Sequence, residues 1–237
     1  MAPKYLSAQI MDFITTLEWP LRTPKGSPIR LPAGVKLLQP WKDQDALEAC
    51  TAFYKQYYSD QRTRVLILGI NPGRFGGGQT GIPFTDPVRL ETMCGISNPF
   101  QKRSELSSEF IYQMITAYGG AEQFYSRFLI SSVCPIGFTL DGKNLNYYDL
   151  PILQKQVEEC VPDWMERQLG FGIERKVGYC LGEGKNFEVF DRLNARHQWF
   201  DQIIPLAHPR FIMQYRRKKM ESYINGYLSE LEKSSTD

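Results

Sequence analysis

The sequence predicts an α/β fold in which a parallel β-sheet carries helices on both faces. Short apolar runs of strand length alternate along the chain with amphipathic segments of helix length. The run at residues 65–68, Val-Leu-Ile-Leu, is apolar throughout, which is typical of a strand buried on both faces. Glycine-rich or polar loops follow the predicted strands, at the carboxyl ends where α/β sheets bind ligands.

Length and composition are those of one globular domain with a full hydrophobic core. The chain has 237 residues, of which 42% are hydrophobic and 23% are charged. We expect a single domain over residues 1–237, with residues 1–60 as N-terminal helices and an arm packed on it, and residues 233–237 as a tail. No apolar run approaches the roughly 20 residues of a membrane helix, and no secretory signal is recognisable, so we expect a cytoplasmic monomer.

The cysteines and the net charge argue against several kinds of site. The chain has 5 cysteines, widely spaced and without a Cys-x-x-Cys pair, and only 2 histidines. This pattern argues against a zinc site, an iron–sulfur cluster or a disulfide framework, so we expect reduced, buried cysteines and no metal or other cofactor. The net charge of +2 is too small to attract a polyanion, so nucleic-acid binding would need a local basic patch.

The amino-terminal part is predicted to form two helices joined by an arm. An apolar stripe indicates the first helix over residues 6–17. Residues 20–40 are rich in proline and contain two glycines, which predicts a long ordered loop or extended arm. The second helix is predicted over residues 41–58, with Asp43 or Asp45 as its cap.

The rest of the chain alternates between strands and helices. Predicted strands cover residues 64–70, 128–135, 175–181 and 200–206. Predicted helices begin at Asp86 and Pro87, cover residues 107–118 and 150–169, follow residues 182–186 as far as Leu193, and form a stripe from Met220 to Leu231. Residues 140–146 are predicted to be a polar loop. This order is typical of parallel strands joined by helical crossovers.

A glycine-rich loop at residues 69–84 leaves the first predicted strand. Its sequence, Gly-Ile-Asn-Pro-Gly-Arg-Phe-Gly-Gly-Gly-Gln-Thr-Gly-Ile-Pro-Phe, lets the backbone approach a ligand and places Asn71 where ligands bind in such sheets. Taken alone, Asn-Pro-Gly is more typical of a simple tight turn. The spacing matches neither the phosphate loop nor the dinucleotide-binding motif, and Pro83 and Phe84 suggest a fixed aromatic wall instead of a helix start.

Two further loops carry candidate residues. Residues 182–186 follow the third predicted strand and precede a helix, so Lys185 is a candidate phosphate contact. The same pattern is equally typical of a plain βα turn. His208 follows the fourth predicted strand and is either a functional group or a structural histidine at a strand end.

The loops at these strand ends resemble the motifs of one enzyme family. Residues 69–73, 75–76 and 79–84 are similar to the first motif of the single-strand-selective monofunctional uracil-DNA glycosylases, and the match is specific because it holds at almost every position. Three further segments resemble the family in the same order, namely Cys134-Pro135, residues 144–151 and Ala207-His208-Pro209. The chain looks like a divergent bacterial-type member, with the resemblance covering roughly residues 41–231.

The resemblance implies a uracil-DNA-glycosylase-like three-layer sandwich with a central four-stranded parallel sheet. It also implies hydrolysis of the N-glycosidic bond of a deaminated base that has been rotated out of the DNA stack, which initiates base excision repair. By the same carry-over, Asn71 positions the attacking water and His208 hydrogen-bonds the leaving base. Phe84 stacks on the base, the Ile70 backbone contacts it, and Gly73 leaves room beside pyrimidine C5. No lysine Schiff base is implied, so we expect a monofunctional enzyme.

One departure from the family pattern bears on specificity. Where the family carries an asparagine that reads the edge of uracil, this chain has Ser132, preceded by Ser131. A hydroxyl cannot make both hydrogen bonds of an amide and leaves a larger pocket. We therefore hypothesise broader specificity, for deaminated purines such as xanthine or hypoxanthine beside uracil. An ordinary strand role for Ser132 is the alternative.

A second departure lies in the segment that the family uses as a wedge in the duplex. Residues 209–215 read Pro-Arg-Phe-Ile-Met-Gln-Tyr, and Phe211, Ile212 and Met213 have the apolar character of a wedge. The cations around them are predicted to grip phosphates: Arg210, Arg216, Arg217, Lys218 and Lys219. The alternative is a solvated basic turn with Phe211 and Ile212 in the core. The role of Arg74, another departure, stays open.

Two other classes of function are also compatible with these patterns. A non-catalytic protein on the same fold would bind DNA lesions or single strands without releasing a base. An unrelated α/β enzyme would bind a nucleotide at residues 73–81, although a suitable lysine or acidic ribose-binding residue is lacking there. We expect the partner to be DNA with damaged bases, single- or double-stranded.

Overall fold

A computed structural model describes residues 5–22, 24 and 26–234. The described helices are α1 (Leu6–Thr15), α2 (Gln44–Tyr58), α3 (Gly77–Thr80), α4 (Pro87–Thr92), α5 (Leu106–Tyr118), α6 (Ala121–Tyr125), α7 (Pro151–Leu169), α8 (Lys185–His197), α9 (Pro209–Tyr215) and α10 (Met220–Lys233), with short 3-10 helices at Pro40–Lys42 and Arg217–Lys219. The described strands are β1 (Val35–Leu38), β2 (Arg64–Gly69), β3 (Phe128–Ser132), β4 (Gly137–Leu140), β5 (Lys143–Leu145), β6 (Ile173–Leu181) and β7 (Gln202–Leu206). Residues 1–4 of the predicted N-terminal region, residues 23 and 25 of the predicted arm and residues 235–237 of the predicted tail lie outside the described residues.

The central sheet has four parallel strands in the order β3–β2–β6–β7. Strand β2 lies between β3 and β6 and is buried along its whole length, which explains the apolar run at residues 65–68. Helices flank the sheet, so the predicted three-layer α/β fold is confirmed. Because all four strands run in one direction, the loops that follow them meet at one edge of the sheet.

A small antiparallel sheet, in the order β1–β4–β5, corrects two predicted loops. Strand β1 lies inside the arm predicted at residues 20–40, and β4 and β5 form a hairpin where a polar loop is predicted at residues 140–146. Asp141 and Gly142 turn the hairpin with φ of 50° and 71°, the conformation that a tight two-residue turn requires. Strands this short carry too little alternation to be recognised in the sequence.

Most of the longer predicted helices are confirmed within a few residues. Asp43 and Asp86 accept hydrogen bonds from the backbone N–H groups of Ala46 and Arg89 and thereby cap α2 and α4. Gly119 ends α5 in the left-handed conformation, with φ of 119°. The short helices α3, α6 and α9 are not predicted, because they are too short to show a helical period.

The predicted burial of the cysteines is confirmed: Cys50, Cys94, Cys134, Cys160 and Cys180 are all buried. The helices among residues 5–22, 24 and 26–234 are too short or too polar to cross a membrane. The same residues contain no group of three or more His, Cys, Asp or Glu side chains arranged to hold a metal ion.

Candidate active site

An open cavity of about 900 Å³ lies at the carboxyl edge of the central sheet. Its wall is formed by the loop after β2, the start of α5, the end of β3, the β4–β5 hairpin, the loop after β6 and one side of α9. Asn71, after β2, and His208, after β7, both line it. The structure therefore brings the two residues predicted to be catalytic into one cavity.

His208 follows β7 and caps the amino end of α9. Its Nδ1 accepts a hydrogen bond from the backbone N–H of Arg210 at 3.1 Å. A ring nitrogen that accepts carries no proton, so the single proton of the neutral imidazole lies on Nε2. Burial, with a smaller contribution from the Arg210 charge, lowers the pKa of His208 from 6.5 to about 4. The imidazole is therefore a neutral N–H donor at physiological pH.

The end of β5 and the residues after it hold the Asn71 side chain in one orientation. Its Oδ1 accepts a hydrogen bond from the backbone N–H of Tyr147 at 3.0 Å, and its Nδ2 donates to the carbonyl of Leu145 at 3.2 Å. The two bonds distinguish the oxygen from the nitrogen of the amide. A carbonyl oxygen has a second lone pair, so Oδ1 can also accept a hydrogen bond from a water in the cavity.

Phe84 forms an aromatic wall beside the imidazole. Its φ of 52° lies in the left-handed region, which bulky residues rarely adopt and which concentrates at ligand sites. A Cβ on Gly69 would come within 2.6 Å of ring atom Cε2, so the ring lies against the end of β2 only because residue 69 is glycine. The ring centroids of Phe84 and His208 are 6.2 Å apart.

The two serines that end β3 point to different places. Ser132 is buried and lines the cavity. Ser131 donates its hydroxyl hydrogen to the side chain of Gln168 in α7, because neighbouring side chains of a strand point to opposite faces. The cavity wall thus contains all the residues predicted to contact the base: Ile70, Gly73, Phe84 and Ser132.

The segment after His208 corrects the predicted wedge. Ile212 and Met213 are buried where α9 packs against α5, so the prediction that they enter the duplex is wrong. Phe211 and Tyr215 are 40% and 66% exposed, with ring centroids 5.7 Å apart. They lie one helical turn apart and present an aromatic pair to solvent at the cavity rim. Sequence reasoning missed Tyr215.

The predicted phosphate contacts differ in how available they are. Arg210, Arg216 and Lys185 are exposed, and Arg210 and Lys185 line the cavity. Arg217 is also exposed, but its guanidinium forms an ion pair with Glu109 at 2.7 Å. Part of the charge of Arg217 is therefore already neutralised within the protein.

Comparisons with known proteins identify the family of this chain. The model of the Uracil DNA glycosylase superfamily matches residues 56–232. The chain belongs to this superfamily. Its curated relatives include the "Single-strand selective monofunctional uracil DNA glycosylase" of Mus musculus, 29% identical over 121 residues, and that of Bos taurus, 26% identical. The alignments cover 44% of this chain and 43% and 44% of those proteins, so the matched segment spans less than half of their length.

This superfamily member is more similar to a solved bacterial structure. The crystal structure of wild-type SMUG2 from Pedobacter heparinus superposes with a TM-score of 0.93 at 41% identity and covers 99% of this chain and 100% of that chain. The predicted family and fold are therefore confirmed.

The cavity of this superfamily member contains two further charged residues, Arg74 and Glu105, to which the sequence patterns assigned no role. Arg74 ties the glycine loop to the hairpin, because its backbone N–H donates to the Asn144 side chain at 3.0 Å and its guanidinium donates to the carbonyl of Gly142. Glu105 directly precedes α5 and lines the cavity. In the sequence, Glu105 looks like an ordinary acidic residue near a helix start.

Proposed function

We propose that this member of the superfamily is a monofunctional DNA glycosylase that hydrolyses the N-glycosidic bond of deaminated bases in DNA. The observation that carries the proposal is the cavity that Asn71 and His208 share. A volume of about 900 Å³ accommodates a base rotated out of the stack, together with its sugar. The names of the mouse and bovine relatives, both uracil DNA glycosylases, support the same chemistry.

His208 stabilises the leaving base. When the bond between the sugar and uracil breaks, the electron pair stays with the base and negative charge develops on its O2. The Nε2–H of a neutral imidazole donates to that oxygen, and the cap on α9 holds the ring so that little reorganisation is needed. One such donor typically contributes about 10²–10³ in rate.

Asn71 supplies the nucleophile. The bonds to Tyr147 and Leu145 leave one lone pair of Oδ1 for a water molecule, which is thereby oriented towards the sugar. The water adds its oxygen to C1′ of the oxocarbenium-like sugar and releases a proton to solvent. No enzyme–sugar bond forms, so the products are a free base and an abasic site in an intact strand.

The cavity wall suits more than one deaminated base. Phe84 offers a stacking surface, which accepts purines and pyrimidines alike because every base has a π-face. The short side chain of Ser132 leaves space at the base edge, and its single hydroxyl discriminates less than an amide would. The substrates we propose are therefore uracil, xanthine and hypoxanthine.

The cavity rim grips the nucleic acid. Phe211 and Tyr215 stack on bases or occupy the space that the flipped base leaves, and the exposed cations Arg210, Arg216 and Lys185 contact phosphates. Aromatic pairs of this kind bind unpaired bases, in keeping with the words "single-strand selective" in the names of the curated relatives.

Base release from synthetic oligonucleotides tests the proposal. Each strand carries one uracil, xanthine, hypoxanthine or thymine, and is presented both as a single strand and as a duplex. We expect release of the three deaminated bases but not of thymine, and a large loss of rate in Asn71→Ala and His208→Ala. DNA binding without base release would instead support the non-catalytic binder, and release that neither substitution affects would overturn the assigned roles.

A further inference from the structure

The carboxyl group of Glu105 lies in the wall of the cavity. Glu105 is the residue before α5, yet its side chain makes no capping hydrogen bond to that helix. Among residues 5–22, 24 and 26–234, its carboxyl oxygens form no hydrogen bond and no ion pair. Glu105 is partly buried, so its carboxyl oxygens face the cavity, where water or a bound molecule can be their hydrogen-bond partner.

The glycine loop is shaped to admit this carboxyl group. A Cβ on Gly73 would lie 3.0 Å from Oε1 of Glu105, and a Cβ on Gly76 would overlap Oε2. A side chain at Gly76 would therefore displace the carboxyl from the cavity wall. Under the proposed function, on which this inference rests, Gly73 lies beside the C5 edge of a bound pyrimidine. Glu105 then faces the same edge of the base.

That edge differs between the two classes of base. A pyrimidine presents a C5–H group there, which neither accepts nor donates a strong hydrogen bond. A purine presents N7, which is a hydrogen-bond acceptor. A protonated carboxyl group has one O–H donor and so complements N7, whereas a carboxylate has only acceptors.

Glu105 keeps its proton to a higher pH than an ordinary glutamate does, because its pKa is raised. Burial and the nearby charge of Asp86 raise its pKa from 4.5 to about 7, although the Arg210 charge acts in the opposite direction. Asp86 lies at the start of α4, where it pairs with Arg89 at 3.2 Å, and Arg210 lies in α9. On the glycine loop, the hairpin and the loop after β6, the charged residues that line the same cavity are Arg74, Lys143, Glu183 and Lys185.

We propose that Glu105 is a catalytic residue for purines only, which donates its proton to N7 of a flipped deaminated purine as the C1′–N9 bond breaks. The electron pair of that bond passes to the purine, and the proton on N7 removes the negative charge that the departing base would carry. The water held by Asn71 adds its oxygen to C1′ and loses a proton. Solvent then returns one proton to the Glu105 carboxylate, which completes the cycle.

Single-turnover base release by wild type and Glu105→Gln tests this role. The amide keeps the size of the side chain and can still donate a hydrogen bond, but it cannot transfer a proton. We expect release of hypoxanthine to fall by about 10²-fold or more, the usual contribution of a general acid. Release of uracil stays within about threefold of wild type, which also shows that the variant is folded. In wild type, hypoxanthine release falls as the pH rises above about 7, and uracil release does not.

Glu183→Gln is the matched control, because it removes another acidic side chain from the same cavity wall. We expect it to leave the ratio of hypoxanthine to uracil release unchanged. Equal losses for both bases in Glu105→Gln, an unchanged hypoxanthine rate, or a wild type that releases uracil but no purine would each overturn the role of Glu105. A wild type that releases neither base would overturn the proposed function itself.

Discussion

The polar side chains at the two ends of strand β2 differ in how much of their hydrogen-bonding capacity the protein itself uses. At the amino end, Arg64 is completely buried, and its guanidinium donates to the carbonyls of Tyr125 and Arg62 and to the carboxylate of Asp60, at 2.8, 2.8 and 2.9 Å. Each of the three guanidinium nitrogens of this buried cation thus donates to an acceptor within the protein. Polar groups satisfied in this way stabilise a fold and leave nothing to offer a ligand.

At the carboxyl end, polar groups keep unused hydrogen-bonding capacity. Among the described residues, the imidazole of His208 makes its hydrogen bond through Nδ1 alone, and the carboxyl of Glu105 is unpaired. Asn71 keeps one lone pair on Oδ1. Leaving such groups in a cavity lowers the stability of the fold. The paired groups at the amino edge of the sheet therefore stabilise the fold, whereas the groups at the carboxyl edge remain available to bind a ligand.

We expect the largest change in rate when the Nε2–H donor of His208, at the carboxyl end of the sheet, is removed. We expect His208→Asn to reduce the rate of uracil release by about 10²–10³-fold, because the Nε2–H is lost. Asparagine is a good N-cap residue, so α9 keeps its cap and the free energy of unfolding should change by less than about 1 kcal/mol. Single-turnover release and urea unfolding measure the two quantities. A rate near that of wild type would show that the imidazole takes no part in the reaction.

The second largest effect is expected from removing the buried guanidinium at the amino end of β2. We expect Arg64→Met to lower the free energy of unfolding by about 2–3 kcal/mol, because Asp60 and two carbonyls lose their partner. The rate of base release per folded molecule should stay unchanged. The control is Arg62→Met, since Arg62 is exposed and lies 3.9 Å from Asp60, and surface pairs contribute less than about 1 kcal/mol. Urea unfolding measures both variants. An equal loss of unfolding free energy in Arg64→Met and Arg62→Met would show that the buried hydrogen bonds of Arg64 are not the cause.

Glu105→Gln should stabilise the protein at alkaline pH. Because folding raises the pKa of Glu105 from 4.5 to about 7, wild type loses stability as the pH rises through this range, and the loss is complete above it. After allowance for solvent screening, we expect the variant to be more stable by about 1–2 kcal/mol at pH 8 and equal to wild type near pH 4. Thermal unfolding at both pH values measures this. A gain of the same size at both would mean that ionisation is not its cause.

A smaller effect is expected at the cavity rim, where the neighbouring cations Arg216 and Arg217 should contribute differently to the salt dependence of DNA binding. We expect Arg216→Gln to reduce the slope of DNA affinity against salt concentration by about one phosphate contact. Arg217→Gln should change the slope less, because Glu109 already neutralises part of its charge. The double variant should weaken binding and flatten the salt dependence further. Fluorescence anisotropy at several salt concentrations measures the slopes, and identical slopes for the two single variants would contradict the ion-pair argument.

The smallest expected effect is an absence of pH dependence. Since the pKa of His208 is lowered to about 4, the imidazole stays neutral from pH 6 to 8, and the rate of uracil release should vary by less than about twofold across this range. Rates under single-turnover conditions test this without a contribution from product release. An inflection near pH 6.5 would show that the imidazole titrates as it does in water.

Much of this molecule could be predicted from local patterns. The apolar runs identified the four central strands, and the caps at Asp43 and Asp86 marked helix starts, because both signals depend on neighbouring residues only. The β4–β5 hairpin escaped prediction, although its Asp141-Gly142 turn is a recognised signal. The burial of Ile212 also escaped, because an apolar residue in a short basic segment fits a core and a DNA surface equally well.

By itself, the sequence determined the order of the strands along the chain, the glycine loop and the family motifs that carry Asn71 and His208. These features follow from residue type and spacing. Two features could be seen only in the folded protein. Leu145 and Tyr147 orient the Asn71 amide, and the carboxyl of Glu105, unpaired among the described residues, lies against the glycine loop. The physical reason is that hydrogen-bond satisfaction depends on groups far apart in the chain, which become neighbours only when the strands align.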